Sequence, residues 1–159
     1  MSSQPSRTEP VATTGRIRVL HVDDDPAVRD LTADFLERVD EAMTVRSEAD
    51  PRTVLDRIEA EPVDCVVSDK RMPERDGLEL CRRVREAHPD LPFVLFTSER
   101  GDDVAERATE AGATDYVPKD PGVDQYELLA DRVREAVERR WARGHHDDAE
   151  ALFGTRPTA

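Results

Sequence analysis

The chain is poor in cysteine and has no long apolar run, and each shortage excludes a class of protein. Only Cys65 and Cys81 occur in 159 residues, which is too few for the disulfide framework of a small secreted domain. We expect both to be buried. No apolar stretch approaches the ~20 residues needed to cross a bilayer, and the first 15 residues lack the apolar centre of a signal peptide. These absences predict a cytoplasmic protein without a membrane partner.

Positive charge, and lysine above all, is also scarce. The net charge is -13 and the pI about 4.7, which argues against nucleic acid or an anionic membrane as a direct partner. Lys70 and Lys119 are the only lysines. An acidic, lysine-poor composition suits a salt-rich cytoplasm, where charges are screened within about 3 Å at 1 M salt. GC-rich codon usage is the alternative explanation.

The spacing of apolar residues along the chain alternates between the pattern of a strand and that of a helix, and this pair of patterns occurs five times. Apolar runs predict strands at 17–22, 43–47, 63–68, 92–96 and 116–117. Helical spacing after each run predicts five helices, the last of them long. Alternating elements of this kind predict an α/β fold, a flavodoxin-like, doubly wound parallel sheet with strand order 2-1-3-4-5. We expect a disordered segment at 1–15, one domain at 16–142 and a flexible tail at 143–159.

Polar residues follow the predicted strands at the edge where such sheets bind ligands. They are Asp23, Asp24 and Asp25 after the first strand, Asp69 after the third, Thr97 and Ser98 after the fourth, and Lys119 after the fifth. Carboxylates this close resist ionising together, so the arrangement requires a cation. An all-oxygen ligand set favours Mg²⁺.

This set of residues suits phosphoryl transfer to an aspartate. A carboxylate is a poor nucleophile towards an anionic donor unless a bridging cation reduces the repulsion. Lys119 would keep Asp69 ionised, and the Thr97 hydroxyl could donate to a phosphoryl oxygen. Lys70 is expected to point away from the site, because its neighbour Asp69 faces it.

Several of these residues also have purely structural interpretations. Asp25 fits a helix N-cap, and Asp76-Gly77 is most simply a turn and helix start without a chemical role. Tyr116 could serve only in packing, and His21 is expected to pack under the first helix.

Four segments resemble the response-regulator receiver domain of two-component signalling, over about residues 16–140. They are Val22-Asp23-Asp24, Asp69 with Met72-Pro73 and Asp76-Gly77, Phe96-Thr97-Ser98, and Tyr116-Val117-Pro118-Lys119. The amino-acid sequences of these segments and the acidic composition are particularly similar to those of haloarchaeal receivers. This resemblance implies a halophilic archaeon as the source.

The resemblance implies a role for each site residue. Asp69 would be the phosphoacceptor for the phosphohistidine of a sensor histidine kinase. Asp24 would bind Mg²⁺ directly, Asp23 mostly through water, and the backbone carbonyl of Arg71 would be the third contact. Thr97 and Tyr116 would form the family's switch pair. Such a protein is a signalling phosphoacceptor, and at most it catalyses its own phosphorylation and dephosphorylation.

Two departures from the family pattern concern the surroundings of the site. Asp120 separates Lys119 from Pro121, whereas the family commonly has proline directly after this lysine. Arg71 stands two residues after Asp69, and Glu99 stands two after Thr97. We hypothesise that Arg71 and Glu99 pair across the site and restrict attacking water.

The sequence therefore predicts a phosphorylatable switch. No DNA-binding module is expected after Trp141, so the output would be a contact with an unknown downstream protein. One alternative is an interaction module that keeps the fold without phosphorylation. A Mg²⁺-dependent phosphatase is disfavoured, since that class generally has a second acid where Arg71 stands. A dinucleotide-binding fold is disfavoured by the absence of a glycine-rich loop after the first strand.

Overall fold

A computed structural model of the protein describes residues 15–72, 75–99, 102–119 and 124–153, with side chains as far as residue 143. Five parallel strands form one sheet in the order β2-β1-β3-β4-β5. They are β1 Ile17–Val22, β2 Met43–Glu48, β3 Cys65–Ser68, β4 Phe93–Thr97 and β5 Asp115–Pro118. The predicted α/β fold and strand order are thus confirmed.

In the described part of the chain, each strand is followed by a helix. The helices are α1 Pro26–Val39, α2 Val54–Ala60, α3 Gly77–Ala87, α4 Asp102–Ala111 and α5 Asp124–Phe153. Asp25 caps α1 by accepting from the Ala27 amide at 2.9 Å, and Asp76 caps α3 by accepting from the Leu78 amide at 2.7 Å. The helix-cap interpretation of Asp25 is therefore confirmed.

Two boundaries differ from the sequence-based expectation. Helix α5 runs to Phe153, beyond the domain end predicted at residue 142, whereas the flexible tail at 143–159 stays a prediction. Gly144 lies within this helix and costs it only about 1 kcal/mol. Strand β3 begins two residues later than predicted, because the Asp64 carboxylate binds the Arg18 amide at 2.7 Å. The segment predicted to be disordered, apart from Gly15, lies outside the described residues.

Apolar side chains fill both faces of the sheet. Leu20, Val66 and Leu95 belong to the core under α2, α3 and α4, whereas Val67 and Phe96 belong to the core under α1 and α5. Alternation along each strand produces these two layers. Both cysteines are buried, as expected. Within the described part of the chain, no helix is long and apolar enough to span a bilayer.

His21 is fully buried in β1, and neither ring nitrogen has a hydrogen-bond partner among the described residues. Burial, together with the positive charges of Lys119 and Arg29, lowers the pKa of His21 to about 3. The imidazole is therefore neutral in the folded protein and acts as a packing group.

We predict that His21→Leu changes how stability depends on pH. The unfolded chain binds a proton at His21 below pH 6.5, and the folded chain does not, so wild-type stability falls as the pH drops from 6.5 towards 3. Urea titrations of both proteins should show the leucine variant gaining about 2 kcal/mol relative to wild type between pH 7.5 and pH 5. A difference that stays constant over this range would contradict a neutral, buried His21.

Candidate functional site

Three carboxylates converge at the carboxyl ends of β1 and β3. Asp23, Asp24 and Asp69 each place a carboxylate oxygen within 4.8 Å of the others. The backbone fixes this arrangement, because the amide of Asp69 donates to the Val22 carbonyl at 3.1 Å and continues the sheet beyond β3. Asp23 is buried and Asp24 is exposed, so one side of the cluster faces solvent.

Lys119 is shared between two of these carboxylates. Its Nζ lies 3.1 Å from Asp23 Oδ2 and 3.4 Å from Asp69 Oδ2, and it also lies 5.3 Å from the centre of the Phe96 ring. One ammonium group offsets one of three negative charges. The remaining charge and the all-oxygen donor set fit a hard divalent cation such as Mg²⁺.

The turn after β3 holds the Asp69 side chain and backbone in place. The Lys70 amide donates to Asp69 Oδ1 at 2.7 Å, and the Gly77 amide donates to the Lys70 carbonyl at 2.8 Å. A β-carbon at Gly77 would lie 2.1 Å from the Asp69 carbonyl oxygen. Gly77 thus permits the close approach that positions Asp69. The sequence interpretation of Asp76-Gly77 as a turn missed this role; the available signal was a glycine in the first turn of a helix, where it costs stability.

Lys70 does not point away from the site, so that expectation is wrong. Its side chain is only 8% exposed, and its Nζ lies 3.3 Å from Glu99 Oε1 and 3.5 Å from Asp76 Oδ2. The expectation assumed that strand alternation continues past Asp69. The chain instead turns at that residue, and the turn brings Lys70 into the same cleft.

Arg71 and Glu99 pair across this cleft, as hypothesised from their positions. Arg71 Nε donates to Glu99 Oε2. Burial raises the pKa of Glu99, but hydrogen bonds from Arg71 and Lys70 outweigh it and hold the pKa below its ordinary value. The cleft has a volume of about 530 Å³ and is also lined by Asp24 and Asp76. Glu99 is therefore ionised beside the carboxylate cluster.

Thr97 and Tyr116 meet on the backbone of Glu99. Thr97 is the last residue of β4 and is buried, and its Oγ1 accepts from the Glu99 amide at 3.3 Å. The Tyr116 hydroxyl donates to the Glu99 carbonyl at 2.6 Å. The two predicted switch residues are thus linked through one residue. Pro73, Asp120 and Pro121, at which other features of the family pattern fall, lie outside the described residues.

Comparison with known proteins identifies the family. The family described as "Response regulator receiver domain" matches residues 19–131. The chain belongs to this family. It is 41% identical over 125 residues to response regulator MprA of Mycolicibacterium vanbaalenii, covering 77% of this chain and 51% of that protein. It is 36% identical to a protein-glutamate methylesterase/protein-glutamine glutaminase of Nocardioides, covering 76% and 34%. The chain therefore spans about half or less of the length of these curated relatives.

Solved structures agree with this assignment. The receiver is similar to the BeF3-activated DrrB receiver domain, with a TM-score of 0.66, 28% identity and coverage of 77% of this chain and 98% of the other. It is also similar to the chemotaxis response regulator CheY4 of Vibrio cholerae, with a TM-score of 0.66, 25% identity and coverage of 74% and 98%. The chain contains a receiver domain of a two-component response regulator.

We predict that Gly77→Ala destabilises the receiver by about 1–3 kcal/mol, the usual cost of forcing an atom into a packed site. The new methyl group would collide with the Asp69 carbonyl and push the turn after β3 away from α3. Urea unfolding measures the change. Glu79→Ala, at an exposed position of α3, serves as the control and should cost much less. Equal stability of Gly77→Ala and wild type would show that residue 77 does not pack tightly against the Asp69 carbonyl.

Proposed function

We propose that the protein is a phosphorylation switch in which Asp69 accepts a phosphoryl group from the phosphohistidine of a sensor histidine kinase. The observation that supports this most directly is the shared contact of Lys119 with Asp23 and Asp69 at the edge where three carboxylates converge. That arrangement places an ammonium group against the carboxylate that would act as nucleophile, beside the oxygen ligands for a metal ion.

Each site residue would have its own role in the phosphoryl transfer. An Asp69 oxygen bonds to phosphorus while the P–N bond of the donor breaks and its electron pair returns to the imidazole nitrogen. The carboxylates of Asp23, Asp24 and Asp69, with the Arg71 carbonyl, would hold Mg²⁺, which supplies positive charge between the two anionic reactants. Lys119 stabilises the negative charge on Asp69 and on the transferred group.

Signalling would follow from new contacts of the phosphoryl group. The Thr97 hydroxyl donates to a phosphoryl oxygen after transfer, and Tyr116 moves with the segment that joins β4 to α4. The acidic surface, with a net charge of -13, favours a protein rather than nucleic acid as the direct contact. Arg71 and Glu99 shield the phosphoryl group from water and lengthen its lifetime.

Three predictions about context remain part of this proposal. A cytoplasmic location and a halophilic archaeal source rest on composition, while the relatives named above are bacterial. Output through contact with another protein rests on the acidic composition. A phosphorylation-independent interaction module is the alternative function.

We predict one Mg²⁺-dependent phosphoryl adduct on the full chain after incubation with acetyl phosphate in molar KCl. Intact mass spectrometry should detect the adduct in wild type and not in Asp69→Asn, which removes the nucleophile. Asp25→Asn is the matched control, because Asp25 caps α1 and an asparagine keeps the cap.

The contrary outcomes are distinct. No adduct on folded wild-type protein would favour the interaction module. Repeated release of inorganic phosphate from a small phosphoester would instead favour a phosphatase.

We also predict that Arg71→Ala and Glu99→Ala each speed loss of the phosphoryl group several-fold, because each opens the cleft to water. The decay of the mass adduct after removal of acetyl phosphate measures this rate. Arg83→Ala, an exposed substitution on α3, should leave it unchanged. If neither cleft variant decays faster than wild type, the shielding hypothesis is wrong.

A further inference from the structure

Lysine is rare in this chain, and both lysines lie at the same edge of the sheet. Of 23 basic residues, only Lys70 and Lys119 are lysines. Lys119 contacts Asp23 and Asp69, whereas Lys70 contacts Glu99 and Asp76. The proposed phosphoryl transfer gives Lys119 a role and leaves Lys70 without one, although its side chain is only 8% exposed.

The chemistry of lysine suits the place that Lys70 occupies. A compact ammonium group with three donors can bridge carboxylates on two separate segments, whereas the planar arginine fork directs its donors differently. Asp76 is the N-cap of α3, and Glu99 lies in the segment after β4. Lys70 therefore ties the start of α3 to that segment.

The neighbouring Arg71 contacts Glu99 from the solvent side. The side chain of Arg71 is 77% exposed, so water screens its pairing and the long side chain keeps its freedom. The Lys70 and Glu99 side chains are 8% and 19% exposed, so their contact is shielded from water more than the Arg71 contact is, and charge interactions are stronger there. Arg71 covers the cleft from the solvent side. Lys70 contacts Glu99 from the buried side of the cleft and fixes its position.

The position of Glu99 matters because its backbone contacts both switch residues. Its amide donates to Thr97 Oγ1, and its carbonyl accepts from the Tyr116 hydroxyl. A shift of Glu99 would therefore change the surroundings of Thr97 and Tyr116 together.

We propose that Lys70 is a positioning residue that holds Glu99 in place against Thr97 and Tyr116. Any consequence for phosphorylation rests on the function proposed above. The positional effect itself exists in the unphosphorylated protein and can be measured there.

Two tyrosines and two lysines give a small set of spectroscopic reporters. Fluorine NMR of the full chain labelled with 3-fluorotyrosine should show one signal from Tyr116, assigned by its loss in Tyr116→Phe. We expect Lys70→Met to move this signal towards its position in denatured protein. Arg71→Met, which removes the neighbouring charge, should move it much less. Equal shifts in the two variants, or no shift in Lys70→Met, would overturn the proposal.

A double variant separates positioning of Glu99 from a general structural role. If Lys70 acts through Glu99, Lys70→Met/Glu99→Gln should give the same Tyr116 shift as Glu99→Gln alone. An additional shift in the double variant would mean that Lys70 acts mainly through Asp76, and the proposal would fail.

A further measurement applies if Lys70→Met does not fold. In protein labelled with ¹³C at the lysine ε-carbon, Glu99→Gln should shift the Lys70 signal and leave that of Lys119 in place. An unmoved Lys70 signal would overturn the proposal. Treatment of the wild type with acetyl phosphate tests the proposed function separately. Absence of phosphorylation in wild type would refute the proposed function while leaving both NMR tests intact.

Discussion

Repulsion among the carboxylates of Asp23, Asp24 and Asp69 is the constraint on which the site depends. The parallel ladder between β1 and β3 brings these groups within 4.8 Å, and the backbone hydrogen bond from Asp69 to Val22 prevents them from separating. Lys119 lowers the repulsion by contacting two of the three. The negative charge that remains makes this edge suitable for a hard cation.

A second group of charges lies beside the first and is balanced separately. Lys70 and Arg71 neutralise Glu99, and Lys70 also contacts Asp76. Without these cations the Glu99 carboxylate would be an unbalanced negative charge in the cleft that Asp24 and Asp76 also line. The same residue carries the backbone groups that contact Thr97 and Tyr116. Charge balance in the cleft and the position of the switch residues are therefore two consequences of one set of contacts.

The relatives place this receiver among proteins with different activities. One named relative is a response regulator and another a protein-glutamate methylesterase, and the chain aligns with only about half and a third of their lengths. A shared receiver module explains both similarities, since a fold with its phosphoacceptor site can be joined to different functions.

The sequence by itself determined the alternation of strands and helices and the polar residue after each strand, because periodicity and strand ends are local properties of a chain. It also indicated that Arg71 and Glu99 could pair. Only the tertiary structure decided where Lys70 points, why residue 77 must be glycine and how Tyr116 reaches Thr97 through Glu99. These contacts join segments distant in sequence, or follow from a turn after β3 that ends the strand alternation. A one-dimensional pattern cannot specify such a turn, because its path depends on packing against α3.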